Sequence, residues 1–131
     1  EAEFNLGLMA HYGRGTNQDY VQAMNHYIKA SAKSIPEADL NIAFLHHYGL
    51  GTAVNLDKSF EYFTKAAKHN FPQAQYHLGL IYQNGQSVKK DLNQANYWFE
   101  KAAEQNLDEA KLMTAALALR EPNDVDFYIV N

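Results

Sequence analysis

The apolar positions of this chain follow one pattern, written three times. Residues 74–110 carry it most fully, as AQYHLGLIYQNGQSVKKDLNQANYWFEKAAEQNLDEA, and a step of 36 residues takes its features back along the chain. That step joins Ala2, Ala38, Ala74 and Ala110, then Leu6, Ile42 and Leu78, then Gly13, Gly49 and Gly85. It continues through Asp19, Asn55 and Asp91, through Ala23, Ser59 and Ala95, and through Lys29-Ala30, Lys65-Ala66 and Lys101-Ala102 without a gap. A fixed period of this length marks a repeat architecture. Three full units are expected over 2–37, 38–73 and 74–109, with a half unit over 110–120 that ends at Glu121-Pro122-Asn123.

Within each unit the spacing predicts two helices. In the first, Ala74, Leu78, Gly79, Ile81 and Tyr82 recur at helical intervals, as do Ala38, Ile42, Ala43 and Leu45. Gly13, Gly49 and Gly85 end it, since glycine takes the left-handed cap without a Cβ penalty. The second stripe runs Leu92, Ala95, Trp98 or Phe99 and Ala102, with copies at Leu56, Ser59, Phe63, Ala66 and at Tyr20, Ala23, Tyr27, Ala30. Asp19, Asn55 and Asp91 precede it as N-caps, and Gln22 and Gln94 are spaced to complete a capping box. Lys29, Lys65 and Lys101 fall in its last turn, the end that favours a cation. Ser34-Ile35-Pro36-Glu37, Asn70-Phe71-Pro72-Gln73 and Asn106-Leu107-Asp108-Glu109 read as polar caps opening the next unit. Gly7, Ala43, Gly79 and Ala115 are expected to face Ala23, Ser59 and Ala95, small residues on both sides letting two helices approach closely. One such hairpin cannot bury its apolar face alone, whereas a stack can.

The pattern A-x-x-x-L-G-x-x-Y-x-x-G-x-x-V-x-x-D-x-x-x-A-x-x-W-x-x-K-A-A resembles the Sel1-like repeat, a relative of the tetratricopeptide repeat. Here it is Ala74, Leu78, Gly79, Tyr82, Gly85, Val88, Asp91, Ala95, Trp98, Lys101, Ala102 and Ala103. The earlier units depart from it: Ala10 and His46 replace the tyrosine, and Thr16 and Thr52 the valine. They keep the double glycine, Gly13-Arg14-Gly15 and Gly49-Leu50-Gly51, which the third unit loses at Ser87. The resemblance covers about residues 1–120. It implies an all-α fold, a right-handed α/α superhelical solenoid. It also implies a non-catalytic scaffold or adaptor that binds a protein or peptide of unknown identity in a concave groove. Family breadth points to a bacterial source.

If the groove of tetratricopeptide repeats carries over, the first helices line it. The lining would be Phe4, Leu8, His11 and Tyr12; Leu40, Phe44, His47 and Tyr48; and Tyr76, Leu80, Gln83 and Asn84. For Phe4, Leu8, Leu40, Phe44, Tyr76 and Leu80, inter-repeat core and groove both stand. His11, Tyr12, His47, Tyr48, Gln83 and Asn84 are assigned to the exposed groove.

Composition narrows the rival functions. A hydrophobic share of 47% is enough to bury a core, which argues against disorder. A net charge of -4, with Lys89-Lys90 as the one cationic pair, supplies no basic stripe for nucleic acid. Without cysteine there is no thiolate ligand or nucleophile. No cofactor or metal is expected. His46-His47 are adjacent and point to different sides of a helix, and His11 and His47 fall on separate hairpins, roughly 10 Å apart. Gly85-Gln86-Ser87-Val88-Lys89 fails the nucleophile-elbow pattern. The alternatives carried beside the scaffold are a small-ligand-binding protein or hydrolase, and a structural spacer in a longer array. No apolar run reaches the roughly 18 residues of a membrane span, so no direct membrane insertion is expected. Glu1 in first place is expected of an excised segment, leaving periplasm, cytoplasm and secretion all open. The segment opens almost at its first helix, so Phe4 and its neighbours should be exposed unless further repeats precede them in the parent protein. Residues 121–131 should form a C-terminal cap or tail.

Overall fold

The computed structural model describes residues 2–14 and 18–119; Gly15, Thr16 and the expected cap or tail 121–131 lie outside that range. Among the described residues seven helices follow one another: α1 (Ala2–Tyr12), α2 (Tyr20–Ala32), α3 (Pro36–Tyr48), α4 (Leu56–Lys68), α5 (Pro72–Asn84), α6 (Leu92–Glu104) and α7 (Asp108–Leu119). Each packs on its neighbours in the chain, so the fold is an all-α solenoid of stacked helical hairpins.

The helix ends obey the local chemistry, with two exceptions. Gly13, Gly49 and Gly85 close the first helices at φ of 70°, 69° and 70°. Asp19, Asn55 and Asp91 accept hydrogen bonds from the amides of Gln22, Lys58 and Gln94 at 3.0, 3.0 and 3.1 Å. The reciprocal arm of the capping box is replaced. The backbone N–H groups of Asp19, Asn55 and Asp91 donate instead to Ala10, His46 and Tyr82 carbonyls at 2.8, 2.9 and 2.9 Å. Those are carbonyls the first helix leaves unsatisfied at its end, so one bond closes both helix termini and sets the hairpin.

The turns between units are the second exception. Ser34, Asn70 and Asn106 do not cap the following helix; they adopt φ of 63°, 73° and 67°. Ile35 and Phe71 stand at the N-cap positions, and neither supplies a side-chain bond. The amides of Ile35, Phe71 and Leu107 reach back to Ala30, Ala66 and Ala102 at 3.2, 3.3 and 3.3 Å. The link is so short that the same residues must finish one helix, and an apolar residue then plugs the crevice between units.

The core is built from second helices meeting first helices. Ala23, Tyr27 and Ala30 of α2 pack with Ala38, Ile42 and Leu45 of α3. Phe63, Ala66 and Ala67 of α4 pack with Ala74, Leu78 and Ile81 of α5. In the third unit the buried aromatic is Phe99, while Trp98 is half-buried against the second core. The small column of the first helices faces the rings, not the small residues expected opposite. A Cβ at Gly7 or Gly79 would lie 2.6 Å from the ring of Tyr27 or Phe99. On α1 Leu6 and Met9 are exposed, whereas Phe4 is half-buried, its ring 5.9 Å from Tyr27.

Two polar pins cross between units at the edge of this core. Ser31 donates to the buried Asp39 at 2.6 Å. One unit on, Gln75 donates to the Ala67 carbonyl and to Asn70, and Gln105 donates to Asn70 and to Gln75. Buried polar groups satisfied in this way fix the register of the stack, because a slip would leave them unpaired.

Candidate functional site

The residues expected to line a groove divide by depth. Tyr12 and Tyr48, one repeat apart at the C-terminal ends of α1 and α3, are 55% and 58% exposed. Asn84 at the same place on α5 is exposed too, while His11, His47 and Gln83 are half-buried. Phe4, Leu8, Leu40, Phe44, Tyr76 and Leu80 are half-buried as well, and most of them share in the core. Leu8 leans on the first core cluster and Leu40 on the second. Phe44 meets Phe63 edge-on at 5.2 Å, and Tyr76 lies 5.8 Å from Phe99.

Each exposed tyrosine is held by its neighbours. The ring of Tyr12 stacks on His11 at 4.4 Å, with the Arg14 guanidinium 5.2 Å from its centroid. Tyr48 meets His47 edge-on at 4.7 Å and stacks with Phe44 at 6.2 Å. An aromatic held on a helix end and half in water gives contact area at small entropic cost.

Beneath Tyr48 the surface opens into a pocket of about 330 Å³. It is lined by His47, Tyr48, Leu80 and Asn84 of the expected set, joined by Phe63, His77, Ile81 and Gln86. His77 is one of the four lining residues that the inner-face ladder omitted. It sits one place after Tyr76, on the side of α5 turned toward α4, where its ring stacks on Phe63 at 5.0 Å and 9°. A signal did exist: the 36-residue step aligns it with Asn5, Asn41 and Met113, a column in which the copies disagree.

Burial sets the protonation of these rings. It pulls His77 down to about 4, with His47 acting in the same direction and Glu109 opposing. Burial also lowers His11, and His46, where Lys58 adds to the effect. It raises Tyr27, whose hydroxyl lies 3.0 Å from His11 Nδ1. The sign of the stability effect follows. A histidine near 6.5 in the unfolded chain and near 4 when folded contributes fully above about pH 6.5 and loses that contribution as pH falls toward 4. Allowing for partial solvent contact, the loss should be roughly 2–3 kcal/mol. His77→Asn, the residue found at the Asn41 position, should flatten the fall in urea-unfolding stability between pH 7 and 4.5. An unchanged slope would remove His77 as its source.

Among the described residues no group of three or more His, Cys, Asp or Glu side chains is gathered to hold an ion. His26 Nδ1 and Glu3 lie 2.8 Å apart, a pair that holds α2 to α1 and lowers the glutamate through that hydrogen bond. No helix among the described residues is long and apolar enough to cross a membrane.

Comparison with known proteins matches this geometry. The model of the Sel1 repeat matches residues 1–34, 36–71 and 72–107. None of the curated proteins matches the chain. Among solved structures, a protective antigen of uropathogenic Escherichia coli strains displaying an SLR fold is 37% identical, with a TM-score of 0.81. That match covers 83% of this chain but 23% of the antigen's length. A Sel1 repeat protein from Oxalobacter formigenes is 32% identical with a TM-score of 0.81, covering 88% of this chain and 86% of that one.

Proposed function

The chain belongs to the Sel1 repeat family, and from that premise we propose that it is a non-catalytic scaffold binding a peptide or protein segment along the ends of its first helices. Its arrangement as repeats 2–37, 38–73 and 74–109 with a half repeat over 110–120 is part of the same reading. The observation that carries it is the ladder of Tyr12, Tyr48 and Asn84, exposed at equivalent places on three successive hairpins. A peptide in the polyproline II form advances roughly 3.1 Å per residue with three residues per turn, and hairpins stack at about 10 Å. A partner could therefore set one side chain on each rung at every third residue.

Charge fits a neutral contact surface better than an electrostatic one, since the lining is aromatic, imidazole and amide. Half-exposed aromatics with fixed neighbours are the residue type that most often anchors an interface. A displayed random-peptide library is the direct test. Sequences enriched by the wild-type chain should lose at least about tenfold in affinity for the Tyr12→Ala, Tyr48→Ala, His47→Ala triple variant, the worth of one or two anchors. Helicity should stay the same. Enriched peptides that bind the variant equally well would dismiss the ladder as the site, and a selection that enriches nothing would dismiss peptide binding.

A further inference from the structure

We infer that the pocket between α3, α4 and α5 takes a phenol, the side chain of a tyrosine on the bound segment; this rests on the peptide-binding reading above. The preceding inter-repeat junction supplies the template. There Tyr27, fully buried, sets its hydroxyl 3.0 Å from His11 Nδ1, with ring centroids 5.9 Å apart at 58°. One repeat on, His47 and Phe63 hold nearly the same relation, 6.3 Å at 69°. The histidine and the ring are conserved between the copies in place and in angle. The oxygen between them is gone, because Phe63 has none to offer.

The third member of the junction changes in step. Asn41, at the matching place on α3, is replaced in the next copy by His77 on α5. That imidazole lies 6.0 Å from His47. Two imidazoles therefore meet at the floor of the pocket, where the first junction holds one hydroxyl.

The walls select what can bring an oxygen there. Leu80, Ile81 and Phe63 are apolar, the amides of Asn84 and Gln86 stand with Tyr48 around them, and the volume of about 330 Å³ admits one aromatic ring. A carboxylate would find little positive charge. Burial keeps His77 neutral at pH 7, and Glu109 is close enough to act on it. A flat apolar body with a neutral hydroxyl tip satisfies both the walls and the floor, and a neutral imidazole can accept or donate the bond.

The test uses the whole chain and small probes. p-Cresol, toluene and benzoate are titrated at pH 7 while the imidazole proton resonances of His47 and His77 are followed. p-Cresol should shift both resonances saturably and bind about tenfold tighter than toluene, the worth of one hydrogen bond. Benzoate should bind more weakly than p-cresol. Phe63→Tyr supplies the oxygen from within and should weaken p-cresol binding by about tenfold while the first-junction His11 resonance stays unchanged. His47→Ala should weaken it to a similar degree, and serves if the tyrosine variant does not fold. Equal binding of toluene, tighter binding of benzoate, no saturable shift with p-cresol, or full p-cresol affinity in the variants would each overturn the inference. Loss of the phenol site alone would leave the ladder standing, since Tyr12 does not line this pocket and the single Tyr12→Ala variant in the peptide selection reads the ladder separately.

Discussion

Phe99→Ala is expected to lower the unfolding free energy by about 3–5 kcal/mol, the usual cost of emptying a buried aromatic site. The ring is fully buried and lies against Gly79, where an added Cβ would come within 2.6 Å of it. The glycine is thus the other half of the ring's packing. Gly79→Leu alone should cost about 1–3 kcal/mol by overpacking the same spot. The two changes together should cost less than their sum, because each removes the reason for the other's penalty. Urea-unfolding midpoints of the four proteins decide it. A Phe99→Ala loss under about 1 kcal/mol, or strict additivity, would contradict this packing. Solenoids unfold from their weakest junction, so amide exchange should rise first in α6 and α7.

Gly51→Val should cost about 3 kcal/mol, the sum of a left-handed backbone penalty of about 1–2 and an overpacking term of similar size. Gly51 has φ of 74°, and a Cβ there would lie 2.6 Å from the Tyr20 carbonyl carbon and 2.7 Å from its oxygen. The collision is with backbone at the start of α2, which cannot turn aside as a side-chain tip can. Ser87 provides the control. It occupies the equivalent place one unit later at φ of 63° with a side chain already present. The dihedral alone is therefore tolerated, and Ser87→Val should cost only about 1 kcal/mol. Similar losses at the two sites in thermal or urea unfolding would remove the contact with Tyr20 as the cause.

Much of the hairpin was readable from single residues. Glycines ending the first helices, Asp or Asn opening the second and lysines closing it each act within one turn, where a residue's own φ preference or hydrogen-bonding reach decides the outcome. Several misreadings were contests between two local solutions. Ser34, Asn70 and Asn106 could cap the next helix or finish the previous one, and the short link chose the second. Gln22 and Gln94 could have closed capping boxes, but the carbonyls of Ala10 and Tyr82 reach the N-cap amides first. Trp98 and Phe99 are adjacent and both fit the stripe; only the packing of α6 against α5 selects Phe99 for the interior.

The candidate site was half legible. Tyr12, Tyr48, His47, Leu80 and Asn84 follow from placing a related fold's inner face on this register, and their exposure and grouping suit a groove. His77 does not follow, because it belongs to the face of α5 that meets the preceding hairpin. That junction also differs from the preceding one in that Phe63 lacks the oxygen that Tyr27 has, a difference with meaning only once α4 and α5 are packed.

By itself the sequence determined the repeat, its period, the family and the ends of the helices, because a periodic pattern and a cap are read from neighbours along the chain. Tertiary structure alone decided which ring fills the space above each small residue, which polar groups pin one unit to the next, and that His47 and His77 meet in a pocket. Those are contacts between side chains of different helices, set by stacking angle and depth.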